Sequence, residues 1–316
     1  MKLDPRHLEI VAAFVDHGGL TEGAERLGRS QPSLSRTIAM LEARIGSKLF
    51  EKNRRPLKPT DLCLALAVEG RKILAANTTA SDLITRYVGG KAGVVRVGGS
   101  PIFMDGVISA MIAGFQETYP DIRIEQSYAY AHDLARQLEI GVLDVAICPV
   151  NANALPDGFN FSKLLPGRNV IACAVTHPLV RKPSLRLADL APYPWIGPPP
   201  ESPLYHDLKH ILSGIGMTEF KLSVTGGSLT SVINILARSD ALTILPYSVV
   251  FMLRRQQAVA ALSIRIGHPE RSLGIMWQSG AAMRPSVRRF RQFIEKEFVS
   301  LSATILKHEQ NVLWRG

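Results

Sequence analysis

Three cysteines in 316 residues, Cys63, Cys148 and Cys173, are too few and too scattered to form a disulfide framework or a metal cage. Their odd number and wide spacing fit reduced thiols. Cys148 and Cys173 stand in apolar, strand-like runs, so burial and inertness are expected rather than redox sensing. No apolar run approaches the roughly 20 residues needed to span a bilayer, and the opening MKLDPRHLEI has no signal-peptide core. A cytoplasmic protein without membrane association is expected. Also missing are H-E-x-x-H, a P-loop and G-x-S-x-G, and the glycine fingerprint after the strand-like VVRVG is incomplete. His177 and His268 precede prolines in expected loops with no nucleophile beside either, so turn positions suit them better than general bases. These absences leave no catalytic residue, metal ligand set or cofactor to assign. They also weaken an enzyme as the rival reading. No fixed-period repeat or low-complexity tract is present.

What the chain does contain is ordinary globular composition, 46% hydrophobic and 20% charged, over a length that implies two or three domains. Thirty-seven Lys plus Arg against 27 Asp plus Glu give a formal charge of +10, which favours a polyanionic partner but serves solubility equally well. The excess is locally steep: Arg44, Lys48, Lys52, Arg54, Arg55 and Lys58 stand against Glu51 alone.

Just before that cluster lies Ser30 to Leu49, SQPSLSRTIAMLEARIGSKL, which reads as a helix with two unlike faces. Ser30 suits the N-cap and Pro32 is tolerated in the first turn, so the helix is expected to start at Gln31. Leu34, Ile38, Leu41 and Ile45 recur at helical spacing along one apolar stripe, while Gln31, Ser33, Ser35, Arg36 and Thr37 fall largely off it. Amide, hydroxyl and guanidinium groups on an exposed helix end can reach base edges and phosphates in a major groove. Pro5 to Asp16 and Leu20 to Leu27 are expected as two preceding helices, with Gly28-Arg29 as a tight turn: a helix-turn-helix arrangement. A three-helix bundle that merely packs is the bland alternative, and the neighbouring cationic cluster weighs against it.

Pro59-Thr60 opens a helical stretch to about Tyr87. Leu62, Leu66, Ile73, Ala76, Ala80, Leu83 and Tyr87 follow alternating steps of four and three when Glu69 holds its slot, the seam of a coiled coil. At 1.5 Å per residue such a helix is about 40 Å long, enough to hold two reading heads apart. Dimerisation through this seam competes with packing on the chain's own body. From Gly93 the period changes to strands alternating with helices. VVRVG, IRIEQ and VLDVAIC are read as strands around helices Asp105 to Tyr119 and Asp133 to Ile140. A second set follows: NVIACAV, helix SLRLADL, WIG, helix Leu204 to Ser213, FKLSV, helix Leu229 to Arg238 and ALTIL. After LSIRI the chain crosses back to strand SLGIMWQ and a closing helix Ser286 to Ser300. Two α/β lobes joined by two crossings are expected, with ligands beyond the carboxyl ends of the strands.

GGLTEGAERLGRSQPSLSRTIAMLEARIGSKLFEKNRRPLKPT resembles the N-terminal domain of the LysR-type transcriptional regulators. It matches their A-A-x-x-L, S-Q-P-(small)-L-S-x-x-I, L-E-x-x-(L/I)-G and L-F-x-R pattern almost throughout. Departures are Gly19 for a capping Ser, Gly23 for Ala, Lys52 for Arg, and TDLCLAL for T-x-A-G; Gly23 within a helix costs about 1 kcal/mol relative to Ala. Looser similarity continues through GGSP, Phe115 with Tyr119-Pro120-Asp121, the segment 141 to 147, HPL at 177 to 179 and ILP at 244 to 246. The resemblance implies an α+α/β chain. It comprises a winged helix-turn-helix at 1–59 with its motif at about 20–39, a linker and dimerisation helix at 60–90, and a two-lobed effector domain at 91–316 similar to periplasmic binding proteins. Lobe 1 would cover about 91–162 and 268–300, lobe 2 about 163–267.

The same resemblance implies that Gln31, Pro32, Ser33, Ser35, Arg36 and Thr37 approach double-stranded operator DNA. Phe50 to Pro59 would form the wing around a turn at Asn53. Arg54 or Arg55 would either enter the neighbouring minor groove or remain solvated. A homodimer seamed by Leu62, Leu66, Ile73 and Leu83, paired into a homotetramer through the effector domains, is expected, with RNA polymerase a further candidate partner. Half-sites would lie about 34 Å apart or a multiple of it. For a small-molecule effector the strand ends supply Ser100, Pro101, the Tyr128 to His132 loop, Pro149, Ser202, Ser228, Leu229 and Pro246. Ser100 and Ser228 suit either helix capping or an oxygen-rich ligand. Acid-responsive members often carry Ser or Thr where this chain has Ala131, beside Tyr130 and His132, which shifts the expected effector towards a ring-shaped, sugar-like or hydrophobic one. A solute-binding protein without DNA activity is opposed by the reading helix.

Overall fold

A computed structural model describes residues 3–17, 30–51, 58–89, 93–214, 216, 222–280 and 283–313, the side chains at 82, 83, 85–89, 312 and 313 excepted. Residues 1–93 with 136–142 form one compact unit, and residues 94–135 with 143–316 form the other.

The N-terminal unit is built on helices α1 (Pro5–His17), α2 (Gln31–Ile45) and α3 (Asp61–Gly89). Helix α2 begins at Gln31 as the proline pattern demands. Ser30, however, caps it only through its carbonyl, which accepts from Ser33 and Leu34 amides at 3.0 and 3.2 Å; its hydroxyl makes no cap bond. The helix is also shorter than the Ser30 to Leu49 stretch suggests. It ends at Ile45, where Gly46 adopts φ 76°, a left-handed cap that a Cβ would strain. Glu42 then holds the returning chain: its carboxylate accepts from the Leu49 amide at 2.8 Å and from Lys48 Nζ at 2.6 Å. Leu49 is thereby delivered into a core with Val11, Phe14, Leu34, Leu41 and Ala67. Beyond it, Phe50 and Pro59 pair antiparallel and the Glu51 amide donates to Lys58 carbonyl at 2.9 Å, closing the base of a two-armed loop. The expected helix Leu20 to Leu27 and the tip carrying Arg54 and Arg55 lie outside the described residues.

The second unit holds two five-stranded sheets of matching design. In the first, β1 (Val94–Gly99) lies parallel between β2 (Arg123–Tyr128) and β3 (Val145–Val150), and β10 (Ser272–Gln278) and β4 (Phe159–Leu165) continue the sheet antiparallel. In the second, β6 (Trp195–Gly197) lies parallel between β7 (Leu222–Thr225) and β8 (Leu242–Pro246), followed by antiparallel β5 (Asn169–Ala174) and β9 (Val259–Ala261). Strands β4 and β9 are absent from the sequence-based expectation: both are edge strands with mixed burial, so neither shows a clean apolar run. Conversely, SLRLADL forms only a single 3-10 turn, Leu187–Leu190, because Pro183 and Pro192 bound it closely. The expected 105–119 helix is a short turn Pro101–Phe103, a π-helical stretch Met104–Ile108 and helix α4 (Ser109–Thr118).

Two crossings join the sheets, at residues 166–168 and 262–271. They pass so closely that a Cβ on Gly167 would lie 2.9 Å from the Pro269 carbonyl oxygen and would also meet that of Arg271. In the first lobe Asp144 accepts from the Arg96 amide at 2.8 Å and its guanidinium at 3.1 Å, and pairs with Arg284, which explains the aspartate of the 141–147 segment. The final helix, α9 (Pro285–Leu313), runs well past the expected Ser300.

Candidate functional site

Two arrangements carry chemistry, one in each unit. On α2 the stripe Leu34, Ile38 and Leu41 is buried, and Gln31, Pro32, Ser33, Ser35 and Arg36 are exposed together on the other side. Arg36 makes no ion pair among the described residues, so its guanidinium stays available. Thr37 is a correction: it is buried, and its hydroxyl donates to the Ser33 carbonyl at 3.0 Å. Position 37 sits one turn after Ser33 and beside Ile38, so the helix rotates it to the edge of the core. Of the cationic cluster, Lys48 pairs with Glu42 and Lys58 with Glu51.

Helix α3 divides its faces differently from a free coiled-coil seam. Cys63, Ala67, Gly70 and Arg71 are buried, Arg71 holding Asp16 through Nε at 2.9 and 3.1 Å. Leu66 is partly buried against the same core, Ile73 is half-buried and Leu62 is 37% exposed. Packing on its own unit and an outward apolar edge therefore coexist on this helix. Leu83 lies outside the described side chains.

In the second unit a cavity of about 90 Å³ opens where the parallel strands of both sheets end. Ser100, Pro101, Tyr130 and Pro149 reach it from the first lobe, and Ser202, Leu229 and Pro246 from the second. Of the other expected residues, Tyr128, Ala129, Ala131, His132 and Ser228 do not. Ala131 and His132 open helix α5 (Ala131–Glu139), which carries them away, and Ser228 spends its hydroxyl capping α7 (Leu229–Leu236) by accepting the Ser231 amide at 3.2 Å. Tyr128 is 51% exposed beside Asp105, whose carboxylate pushes its phenol up ahead of a smaller effect of burial. For Tyr130, burial raises the phenol while the neighbouring Ser202 hydroxyl pulls the other way. Ser100 is 3% exposed, and its hydroxyl makes no cap bond and finds no hydrogen-bond partner among the described residues.

Sequence reasoning missed several walls of this cavity. Thr243 donates to the Ile196 carbonyl at 2.8 Å. At the crossings Arg271 pairs with Asp207, which also accepts Asn169 Nδ2 at 2.7 Å. Ile305 and Leu306 come from the part of α9 beyond the expected helix end. No local signal marks them, because each reaches the cavity through long-range packing. Among the described residues no cluster of His, Cys, Asp and Glu could hold a metal, and no helix is long and apolar enough to cross a membrane. The three thiols are buried, which pushes Cys63 up to about 11 and Cys148 and Cys173 up to about 12.

A helical head with an exposed polar helix, and a two-lobed body with a cavity at its strand ends, define a DNA-binding protein with a ligand-binding domain. Residues 5–63 match the family model of the bacterial regulatory helix-turn-helix protein, lysR family, and residues 89–299 match the LysR substrate binding domain. The chain belongs to the LysR family of transcriptional regulators. It is 25% identical over 297 residues to the uncharacterized HTH-type transcriptional regulator YnfL of Escherichia coli K12, covering 92% of this chain and 97% of that one. It is 24% identical over 301 residues to the DNA-binding transcriptional dual regulator OxyR of the same organism, covering 92% and 93%. The fold is that of CbnR, a LysR family regulator, at TM-score 0.67 and 18% identity over 93% of this chain and 99% of that one. CbnR has also been solved in complex with its target DNA, to which this chain aligns at TM-score 0.66, 18% identity and the same coverage of both chains.

Proposed function

We propose that this regulator places Gln31, Ser33, Ser35 and Arg36 in the major groove of its operator, with Pro32 against the backbone, and acts by binding alone. Residues 1–59 serve as the reading head with Arg54 and Arg55 in its wing. Residues 60–90 pair two copies, and residues 91–316 sense a small molecule in the cavity lined by Ser100 and Tyr130. Further pairing into a tetramer would set two heads on successive turns of one DNA face, and a ligand that alters the lobes would change that geometry for RNA polymerase. Such a protein works where the DNA is, in the cytoplasm. The observation that carries this reading is the two-faced α2: a buried aliphatic stripe fixes the orientation of an exposed Gln-Ser-Ser-Arg surface. Fluorescence anisotropy with the DNA upstream of the protein's own gene tests it. Affinity should fall steeply with salt as counterions are released, and Arg36→Ala should cost about 1–3 kcal/mol. Unchanged binding in Arg36→Ala would remove that residue from the interface, and indifference to every duplex at low salt would sink the reading.

A further inference from the structure

Helix α2 carries its exposed face one turn beyond the residues assigned to the groove. Met40 follows Arg36 by one turn and Ser33 by two, so the three side chains leave the helix on one side. It is 60% exposed, whereas Leu41 beside it is 1% exposed. Ala39 and Ala43 are exposed around it, which makes the third turn an apolar patch with one long side chain at its centre. The core takes nothing from that patch: Leu34, Ile38 and Leu41 fill it from the other side of the helix. Single exposed apolar residues are ordinary, and position alone gives this one a meaning.

The surroundings fix what such a patch can meet. It continues a face on which Gln31, Ser33, Ser35 and Arg36 present hydrogen-bonding groups and a positive charge, so the duplex that meets those residues also meets Met40. Glu42, the nearest acid in sequence, adds no repulsion there, because its carboxylate is turned to the Leu49 amide at 2.8 Å and to Lys48 Nζ at 2.6 Å. A thioether flanked by two alanines has no hydrogen to donate and no charge to offer, so it can neither bond a base edge as an amide does nor hold a phosphate. The one apolar group that base pairs present in the major groove is the C5-methyl of thymine. Met40 stands about 6 Å beyond Arg36 along the helix axis, the length of about two base-pair steps. Its unbranched side chain and polarizable sulfur suit it to settle on a methyl group within that reach.

We propose that Met40 is a specificity residue of the reading head: it packs on the C5-methyl of one thymine in each half-site and makes the operator prefer thymine at that position. This rests on reading α2 as the helix in the major groove. The test uses the full chain and the footprinted duplex upstream of its own gene, with each thymine replaced in turn by deoxyuridine, which removes the methyl group and nothing else. For the parent, one such replacement per half-site should weaken binding about fourfold, the increment of one buried methyl group. For Met40→Ala the same replacement should have no effect, while the response to every other deoxyuridine stays as in the parent. Met40→Leu, which keeps an apolar side chain of similar volume, should retain most of the fourfold discrimination. Position 40 is exposed and alanine favours a helix, so Met40→Ala should fold, and unchanged hydrogen exchange over 31–45 checks this. A parent indifferent to every deoxyuridine would overturn the assignment, as would a deoxyuridine that weakens Met40→Ala as much as the parent. Met40→Ala binding all duplexes equally weakly would place the side chain on sugar and phosphate, and a smaller assembly in sedimentation would place it between copies of the chain; either result overturns the proposal. Specific binding that Arg36→Ala still weakens would preserve the major-groove reading through such a failure. Indifference to every duplex would remove both.

Discussion

Gly70 offers the sharpest test of the N-terminal unit, because two physical rules predict opposite signs for one substitution. It lies inside helix α3, where Gly→Ala ordinarily stabilises by about 1 kcal/mol through helix propensity. Here the helix passes against α1 so closely that a Cβ at position 70 would sit 2.6 Å from the Leu8 carbonyl carbon and 2.9 Å from Ala12 Cβ. Relaxed carbon contacts lie at about 3.5–4.0 Å, so the helices must separate by roughly 1 Å. Neither neighbour has a rotamer to escape into, and Arg71, paired with Asp16 on the next residue, resists the separation. Overpacking of this kind costs about 1–3 kcal/mol; taking the upper part of that range and subtracting the propensity gain leaves about 2 kcal/mol of net destabilisation. Trp195 and Trp277 lie outside this unit, so intrinsic tryptophan fluorescence is a poor reporter of the effect. Hydrogen exchange in peptides covering 5–17 and 61–89 is the suitable readout, with exposed Lys72→Ala as control. Faster exchange in both helices is expected. Slower exchange, or a higher unfolding midpoint, would mean that the helices do not approach as described.

Three further outcomes are expected. Glu42 is pushed up by burial, but bonds from Lys48, Leu49 and Phe50 outweigh this and hold it below the ordinary carboxylate value. Its contribution should be complete above about pH 4.5 and vanish as pH falls through the lower folded value, and Glu42→Gln should flatten the acid limb of a circular-dichroism titration. His308 is lowered by burial and then by Arg254, so its contribution is full above about pH 6.5 and declines as acid protonates it. Protection factors in 301–313, with the intrinsic pH dependence of amide exchange divided out, should fall between neutral pH and pH 5, and His308→Asn should remove that dependence. Finally, with thiols pushed up to about 11 and 12, iodoacetamide should leave native Cys63, Cys148 and Cys173 unmodified at neutral pH and label all three after denaturation. Rapid labelling of the folded chain would contradict their burial.

Much of the architecture was legible because it is written in short periods. The Leu34, Ile38, Leu41 stripe and the alternation of strands and helices after Gly93 depend on residues a few positions apart. Thr37 shows the resolution of that reading: spacing placed it off the stripe, yet it is buried, with its hydroxyl turned back onto the Ser33 carbonyl. Strand β4 was missed for another reason, since it acquires its partner, β10, more than a hundred residues later. Ser100 and Ser228 look alike in sequence, each before a helical turn, and only the fold separates the orphaned hydroxyl from the cap.

By itself the sequence determined the family, the two-faced helix that starts at Gln31, the alternation of strands and helices after Gly93 and several of the strand ends around which a cavity forms, because local periodicity and short motifs act over one or two turns of chain. The tertiary structure alone decided which of those strand-end residues share a cavity, that Arg271 is already paired, and that Ile305 and Leu306 return from the far end of the chain to wall it. Those relations arise from packing between segments far apart in sequence, where no repeating pattern links one partner to the other.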